Sequence, residues 1–402
     1  MDTKTTALIH HPYRAPAGFD AIPAAVYKAS TVLFADTAAL HARDWKSKSG
    51  YTYGLHGTPT SYLLEERVAA LEGGLQCLLL PSGLAAITLV DMALLKTGDV
   101  VLLPHNAYGP GKLLAQHELS RWGIRAAFYD AMDPHSLQAA LAEAPADSTR
   151  LVWLEAAGSV TMEFPDLPAL LAIARAHHAI TAIDNTWGAG IAFDAFAIDR
   201  DAEGTPCGAD ICVQALTKYP SGGGDILMGS VTTRDETLHL RLKGCHMRMG
   251  WGVAANDIEM VLRSLPSMAL RYRAHDRTAR LLAGWLADRP EVEQVLHPAL
   301  SNAPGHEHWQ ALCGEADAAA GLFSIVFDSR YTLAQVDSFV DALTLFKIGY
   351  SWAGPVSLAV PYDVRAMRGP TASGAGLVRF SVGLEAAEDL IADLEQALKV
   401  LR

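Results

Sequence analysis

Four places in this 402-residue chain carry side chains whose types suit one chemistry when they are brought together: Pro81-Ser82-Gly83-Leu84, Tyr108, Asp184 and Lys218. Each follows an apolar run, and ligands of open α/β sheets bind outside the carboxyl ends of the strands. The Pro81–Leu84 stretch reads as a strand end, a small turn and a helix start whose unpaired backbone N–H groups can hold a phosphate. Singly, each feature has an ordinary explanation. A lone lysine is usually a solvated charge, an aspartate at a strand end caps the next element, the turn is only a turn, and the tyrosine packs. Together they offer an anion cradle, an aromatic face, an acid and an amine, which is the set that pyridoxal phosphate requires. Lys218 has to lose its proton to act as nucleophile or base, and burial beside a cationic ring lowers its pKa in that direction. Asp184 has to stay ionised opposite the pyridinium, which makes the ring a better sink for a carbanion at the substrate Cα.

The elements that must position these groups are legible as short apolar runs alternating with helical patterns. Strands are expected at Gln76 to Leu80, Val100 to Leu103, Ala126 to Tyr129, Leu151 to Glu155, Ile180 to Ile183, Ile211 to Ala215 and Leu227 to Thr232. Helices fit at Leu84 to Leu95, Ser136 to Glu143 and Leu167 to His178. This order predicts an α/β fold with a large, mostly parallel seven-stranded sheet covered by helices, spanning residues 61–255. Residues 1–60, with Pro12, Pro16, Pro23 and the Tyr51–Thr60 stretch, read as an extended arm. Residues 256–402 read as a smaller α+β domain. Its expected helices are Asn256 to Arg273, Arg277 to Asp288, Leu333 to Leu343 and Ala386 to Leu401, and its expected strands are Leu322 to Phe327 and Val378 to Val382.

Composition excludes several classes. Half the residues are hydrophobic and 19% are charged, which permits a large core and rules out disorder for most of the chain. The formal charge of −12, with no long basic run, lacks the footprint that nucleic acid demands. The longest apolar runs fall far short of the ~20 residues of a membrane helix. Met1 to Pro16 carries Lys4, His10, His11 and Arg14 without a continuous apolar stretch, so no signal peptide is expected and the cytoplasm is the expected location. The five cysteines are scattered, with no C-x-x-C pair, and read as reduced thiols; no metal site is expected. Triple glycine without a following Gly-Lys-Ser/Thr, and the absence of G-x-G-x-x-G after a strand, disfavour P-loop and dinucleotide folds.

Five segments in order, Tyr53-Gly-Leu-His-Gly-Thr-Pro-Thr60, Ile183-Asp-Asn-Thr-Trp187, Gln214-Ala-Leu-Thr-Lys-Tyr219, Tyr350-Ser-Trp352 and Val378-Arg-Phe-Ser-Val-Gly-Leu-Glu385, resemble the Cys/Met-metabolism PLP-dependent enzymes of fold type I. The likeness runs over nearly the whole chain. It implies Lys218 as the Schiff-base lysine, Asp184 as partner of the pyridine nitrogen and Tyr108 as the residue stacked on the ring, with Lys218 and Tyr108 catalytic. Gly83 and Leu84 would offer N–H groups to the phosphate and Thr217 a hydroxyl. Tyr53 would reach from the arm into a neighbouring subunit, so the resemblance implies a homotetramer built from dimers with shared active sites. Arg379 resembles the arginine that grips the substrate α-carboxylate by two hydrogen bonds, a geometry lysine does not copy.

Within the family, Tyr350-Ser351-Trp352 and the run Glu155-Ala-Ala-Gly-Ser-Val-Thr-Met-Glu163 resemble the β-lyase branch rather than its γ-acting relatives. Ser351 and Trp352, with Tyr53 and Arg379, are then the expected substrate contacts. The implied activity is cleavage of L-cystathionine, a thioether amino acid, to homocysteine, pyruvate and ammonia. A broader cysteine or cysteine-S-conjugate β-lyase, a γ-acting enzyme and a non-catalytic PLP-binding protein remain the alternatives. The chain departs from the family at Leu55, where an arginine is frequent, at Ala215, where a serine is frequent, and at Gly222-Gly-Gly-Asp225, where Gly-His-Ser-Asp is common.

Overall fold

The apolar runs between residues 76 and 233 are strands of a single sheet in the computed structural model, which describes residues 6, 8, 17–18, 21–46, 48, 50–363 and 376–401. The strands are β1 (Gln76–Leu80), β2 (Val100–Pro104), β3 (Arg125–Tyr129), β4 (Arg150–Glu155), β5 (Ile180–Asp184), β6 (Ile211–Gln214) and β7 (Gly229–Thr233). Their order is β1-β7-β6-β5-β4-β2-β3. β7 runs antiparallel to both neighbours, and the remaining pairs are parallel. Helices cover both faces, so successive residues of a strand are all buried: on β2, Val100 and Leu102 enter one core while Val101 and Leu103 enter the other. That double burial is why these strands read as apolar runs rather than alternations.

A second sheet, ordered β8-β9-β12-β11-β10, comprises β8 (Val292–Leu296), β9 (Leu322–Phe327), β10 (Lys347–Ile348), β11 (Leu358–Tyr362) and β12 (Leu377–Ser381). One face, with Phe323, Ile325, Phe327, Val378 and Phe380, packs on the helices Met268–Ala287 and Ala387–Leu398. Leu322, Val326 and Leu377, on the opposite face, join the core of the large sheet. Side chains alternate along a strand, so Arg379, between Val378 and Phe380, faces the large sheet.

Three expectations are corrected. The helix predicted over Asn256 to Arg273 is broken, running Ala255–Ser264, then a 3-10 turn Leu265–Ser267, then Met268–Ala287. Pro266 has no N–H to continue the first helix, and the second absorbs the segment expected as a separate helix from Arg277. The strand expected from Leu227 begins at Gly229, because Met228 is tied through both backbone groups to the Thr217 hydroxyl. Helices Pro59–Glu72 and Glu236–Met249 had no legible stripe: they bury Glu65, Glu72, His239, Lys243 and His246 among their apolar residues. In the arm, residues 21–46 are almost wholly exposed and extended apart from a short helix, Thr37–His41. Most of Met1 to Pro16, expected to carry no leader, lies outside the described residues. Among the described residues no helix is long and apolar enough to cross a membrane.

Candidate active site

Lys218 sits on a turn that follows β6 and is clamped from two sides. Its N–H donates to Ala215 O at 3.0 Å and its carbonyl accepts from Gly222 N–H at 2.8 Å. Arg271 donates to Tyr219 O at 2.8 Å, and the Ser264 hydroxyl to Ser221 O at 2.6 Å. Gly222 has φ +66°, and a Cβ there would lie 2.1 Å from the Arg271 guanidinium, so glycine suits this turn. The Lys218 Nζ donates to Ser351 Oγ at 2.7 Å and lies 5.6 Å from the centre of the Trp352 ring. Burial, helped by the nearby Arg379 charge and opposed by Asp184, brings its pKa down to about 8. The nucleophilic form is therefore accessible near neutrality.

Ser351 joins this amine to a second cation. Its backbone carbonyl accepts from Arg379 Nη2 at 3.4 Å while its hydroxyl serves Lys218. Ser351 and Ala353 hold φ of 121° and 64°, positions that cost about 1–3 kcal/mol each in a non-glycine residue. Arg379 reaches over the Tyr362 ring, 5.6 Å from its centre, and is only 9% exposed. Its Nε is buried with no hydrogen-bond partner, and among the described residues no carboxylate pairs with it. A buried guanidinium left short of an acceptor is a binding group for an anion.

The opposite end is acidic. Asp184, the last residue of β5, accepts the Thr186 hydroxyl and the Thr186 N–H at 3.0 Å. The same hydroxyl accepts Ala215 N–H at 2.9 Å, which ties the acid to the approach of the Lys218 turn. Burial raises the Asp184 pKa, while the Thr186 contacts and Lys218 pull it back down. Beside it, level in the β4–β5 register, Glu155 accepts Tyr108 N–H at 2.8 Å. Tyr108 precedes the short helix Gly109–Leu114, and its half-exposed ring lies close enough to Asp184 and Arg379 to feel both charges.

The proposed phosphate cradle has the expected form. Ser82 caps the helix Gly83–Leu94 by accepting Ala85 N–H at 3.0 Å, and no partner is recorded among the described residues for the N–H groups of Gly83 and Leu84. A Cβ on Gly83 would meet Ala215 Cβ at 2.7 Å, and one on Gly229 would meet Ser82 O at 2.3 Å, so the turn is pressed onto the sheet without side chains between. The Thr217 hydroxyl points to Met228 O at 3.2 Å, which directs its single proton away from the cradle.

The structure thus gathers Lys218, Asp184, Tyr108, Arg379, Ser351, Trp352 and the Gly83 turn. Tyr53 is not among them within one chain. It lines a separate cavity of about 300 Å³ with Leu55, His56, Lys243 and His246. Glu155, Thr186 and Arg271 carry contacts at the site that the residue types alone did not single out. The available signal was Glu155 closing an apolar run as Asp184 does.

An acidic end, a cationic end and a bare glycine turn between strands make a site for a ligand bearing a protonated nitrogen, a carbonyl open to an amine, and anionic groups. The unsatisfied Arg379 Nε and the open Gly83 turn fit pyridoxal phosphate with an amino-acid carboxylate beside it. A model of the family described as Cys/Met metabolism PLP-dependent enzyme matches residues 5–399. The chain is 37% identical over 404 residues to a cystathionine beta-lyase of Bordetella avium, covering 99% of this chain and 97% of that protein. It is 32% identical to the cystathionine beta-lyase MetC of Escherichia coli, covering 93% of each. Cystathionine gamma synthase from Xanthomonas oryzae, solved in complex with aminoacrylate and cysteine, superposes with a TM-score of 0.85 at 28% identity over 99% of this chain and 98% of that one.

Proposed function

The chain belongs to the Cys/Met metabolism PLP-dependent enzymes, and from that premise we propose that it is a carbon–sulfur β-lyase splitting L-cystathionine, with water, into L-homocysteine, pyruvate and ammonia. The cofactor of the family, pyridoxal 5′-phosphate, supplies when bound a carbonyl carbon for an amine and a ring that withdraws electrons from the carbon next to that amine. The residues that would hold it are Lys218 at the carbonyl carbon, Asp184 at the ring nitrogen, Tyr108 at the ring face, and Gly83 and Leu84 at the phosphate.

The chain's own groups then divide the work. Arg379, through its open Nε and its Nη2 edge, takes the substrate carboxylate in a two-pronged grip. Lys218, whose depressed pKa brings the neutral amine within reach near neutrality, removes the Cα proton. The ammonium so formed would supply a proton to the sulfur leaving Cβ. Ser351 holds the amine and Trp352 flanks it, keeping bulk water off the exchanged proton. The three-carbon remainder leaves and hydrolyses to pyruvate and ammonia.

One observation carries this reading: Ser351 bonds Lys218 with its hydroxyl and Arg379 with its carbonyl, setting the base and the carboxylate site at the short separation an α-amino acid requires. The β-lyase choice is supported by the two relatives and by the loop Gly158–Glu163. That loop closes on itself through Gly158 N–H to Glu163 O at 2.8 Å and docks beside Tyr108 through Ser159 N–H to Asn106 O at 2.7 Å. By the same reading Tyr53 and its arm serve a neighbouring subunit of a tetramer in the cytoplasm.

Product analysis tests the reading. Purified enzyme given L-cystathionine should release pyruvate and homocysteine, and Lys218→Ala should release neither. Formation of 2-oxobutyrate and cysteine would move the chain to the γ-acting branch. Faster turnover of cysteine or cystine than of cystathionine would make it a broader β-lyase.

A further inference from the structure

Glu155 closes β4 directly opposite Asp184 in the parallel register, and its carboxylate reaches across to the Tyr108 backbone N–H at 2.8 Å. Tyr108 has no side-chain cap of its own at the start of its short helix, and Glu155 is the side chain that takes its backbone N–H. Tyr108, Glu155 and Asp184 line one small cavity of about 20 Å³ whose other walls include Ile87, Leu103, Leu154 and Trp153. Those walls are mostly apolar, so they offer the two carboxylates little solvation.

We propose that Glu155 is a positioning residue of the cofactor site: it seats Tyr108 through the backbone and, as the uncharged member of the carboxyl pair, leaves Asp184 the sole anion facing the ring nitrogen. The inference rests on the cofactor reading above. The charged and titratable groups around Glu155 are Asp184 from β5, Lys112 from the Tyr108 helix, the phenol of Tyr129 from β3 and Tyr108 itself, with Lys218 on the far side of Asp184. Tyr129 spends its proton on Trp153 O at 2.7 Å, and Lys112 donates to His105 O at 2.7 Å. Burial first, and the Asp184 charge second, hold the Glu155 carboxyl well above the usual range. Asp184 has Thr186 and Lys218 to stabilise its charge, so it is the member that ionises. Two like charges side by side against apolar walls keep one proton between them.

The test uses Glu155→Gln, which keeps an oxygen for Tyr108 N–H and carries no charge, and Glu155→Met, which removes the acceptor at similar size. Cofactor affinity is read by quenching of tryptophan fluorescence when pyridoxal 5′-phosphate is added to the apoprotein, and the bound cofactor's absorbance is followed against pH. Glu155→Gln should hold affinity within about threefold and leave the spectral titration in place. Glu155→Met should weaken affinity by about tenfold. In a Tyr108→Ala background the same change should cost less than about threefold, because the residue it seats is gone. Equal damage from Gln and Met, no effect of Met, or full additivity with Tyr108→Ala would overturn the proposal. Should Glu155→Met not fold, the Gln variant decides alone: a spectral titration displaced by one unit or more means the carboxylate charge was in use. A wild-type protein that takes up no cofactor would instead sink the parent reading.

Discussion

The acidic and cationic ends of the site are assembled by different means. Glu155 and Asp184 close two strands of one sheet and Tyr108 follows a third, and the register of two adjacent parallel strands sets the two carboxyls level. Lys218, Ser351 and Arg379 meet only because the second sheet lays one face on the first. The Lys218–Ser351 bond spans 133 positions of sequence, whereas Asp184 and its Thr186 partner are two apart. Burial works against the charged form at both ends, pushing the carboxyls up and the amine down. The site therefore spends stability on charges that await a ligand of the opposite sign, the usual trade at a preorganised site. The difference teaches that, on the proposed reading, the acid facing the ring nitrogen is set locally within one sheet, while the carboxylate grip depends on the docking of two sheets.

That contrast predicts which kinetic constant each end governs. The largest effect is expected at the acidic end: Asp184→Asn should lower kcat by about a thousandfold while KM stays within a few-fold, since it removes charge needed only as the carbanion forms. Steady-state kinetics checks this, and a change confined to KM would erase the distinction. Arg379→Lys keeps the charge and loses the fork, so kcat/KM should fall by about a hundredfold, mostly through KM, with thermal stability nearly unchanged. An unaltered KM would place the carboxylate elsewhere. The smallest effect is a matter of pH. The rate at which apoprotein takes up cofactor should rise as Lys218 loses its proton, with a midpoint near 8 rather than the ordinary 10.5. Stopped-flow uptake between pH 6 and 10 reads this directly, and a midpoint near 10 would mean that burial does not act on the amine.

Much of the arrangement was legible because chemistry and periodicity coincide at strand ends. Asp184 and Glu155 each close an apolar run, and a doubly covered parallel sheet makes such runs continuous and easy to find. Other parts were hidden for physical reasons. The helices Pro59–Glu72 and Glu236–Met249 bury charged and histidine side chains, so their apolar faces do not stand out. Pro266 split a helix whose hydrophobic pattern ran through it without a break. Thr217, expected to serve the phosphate, has its hydroxyl directed at Met228 across the bend between β6 and β7, a partner that local sequence does not announce.

Residue types and their order determined the strands of the large sheet, the acid that closes one of them and the turn that offers N–H groups, because each of these follows from local backbone preference and the period of burial; the family and the role expected of Lys218 came from the resemblance of five short segments. Alternation along β12 even put Arg379 on the face away from Val378 and Phe380. What lies across from that face was decided only by tertiary structure. Ser351 adopts φ 121° and hands its two oxygens to Lys218 and Arg379 because the second sheet packs against the first. A strained backbone of this kind persists only when surrounding contacts over-determine it, and those contacts are spread over residues far apart in the chain.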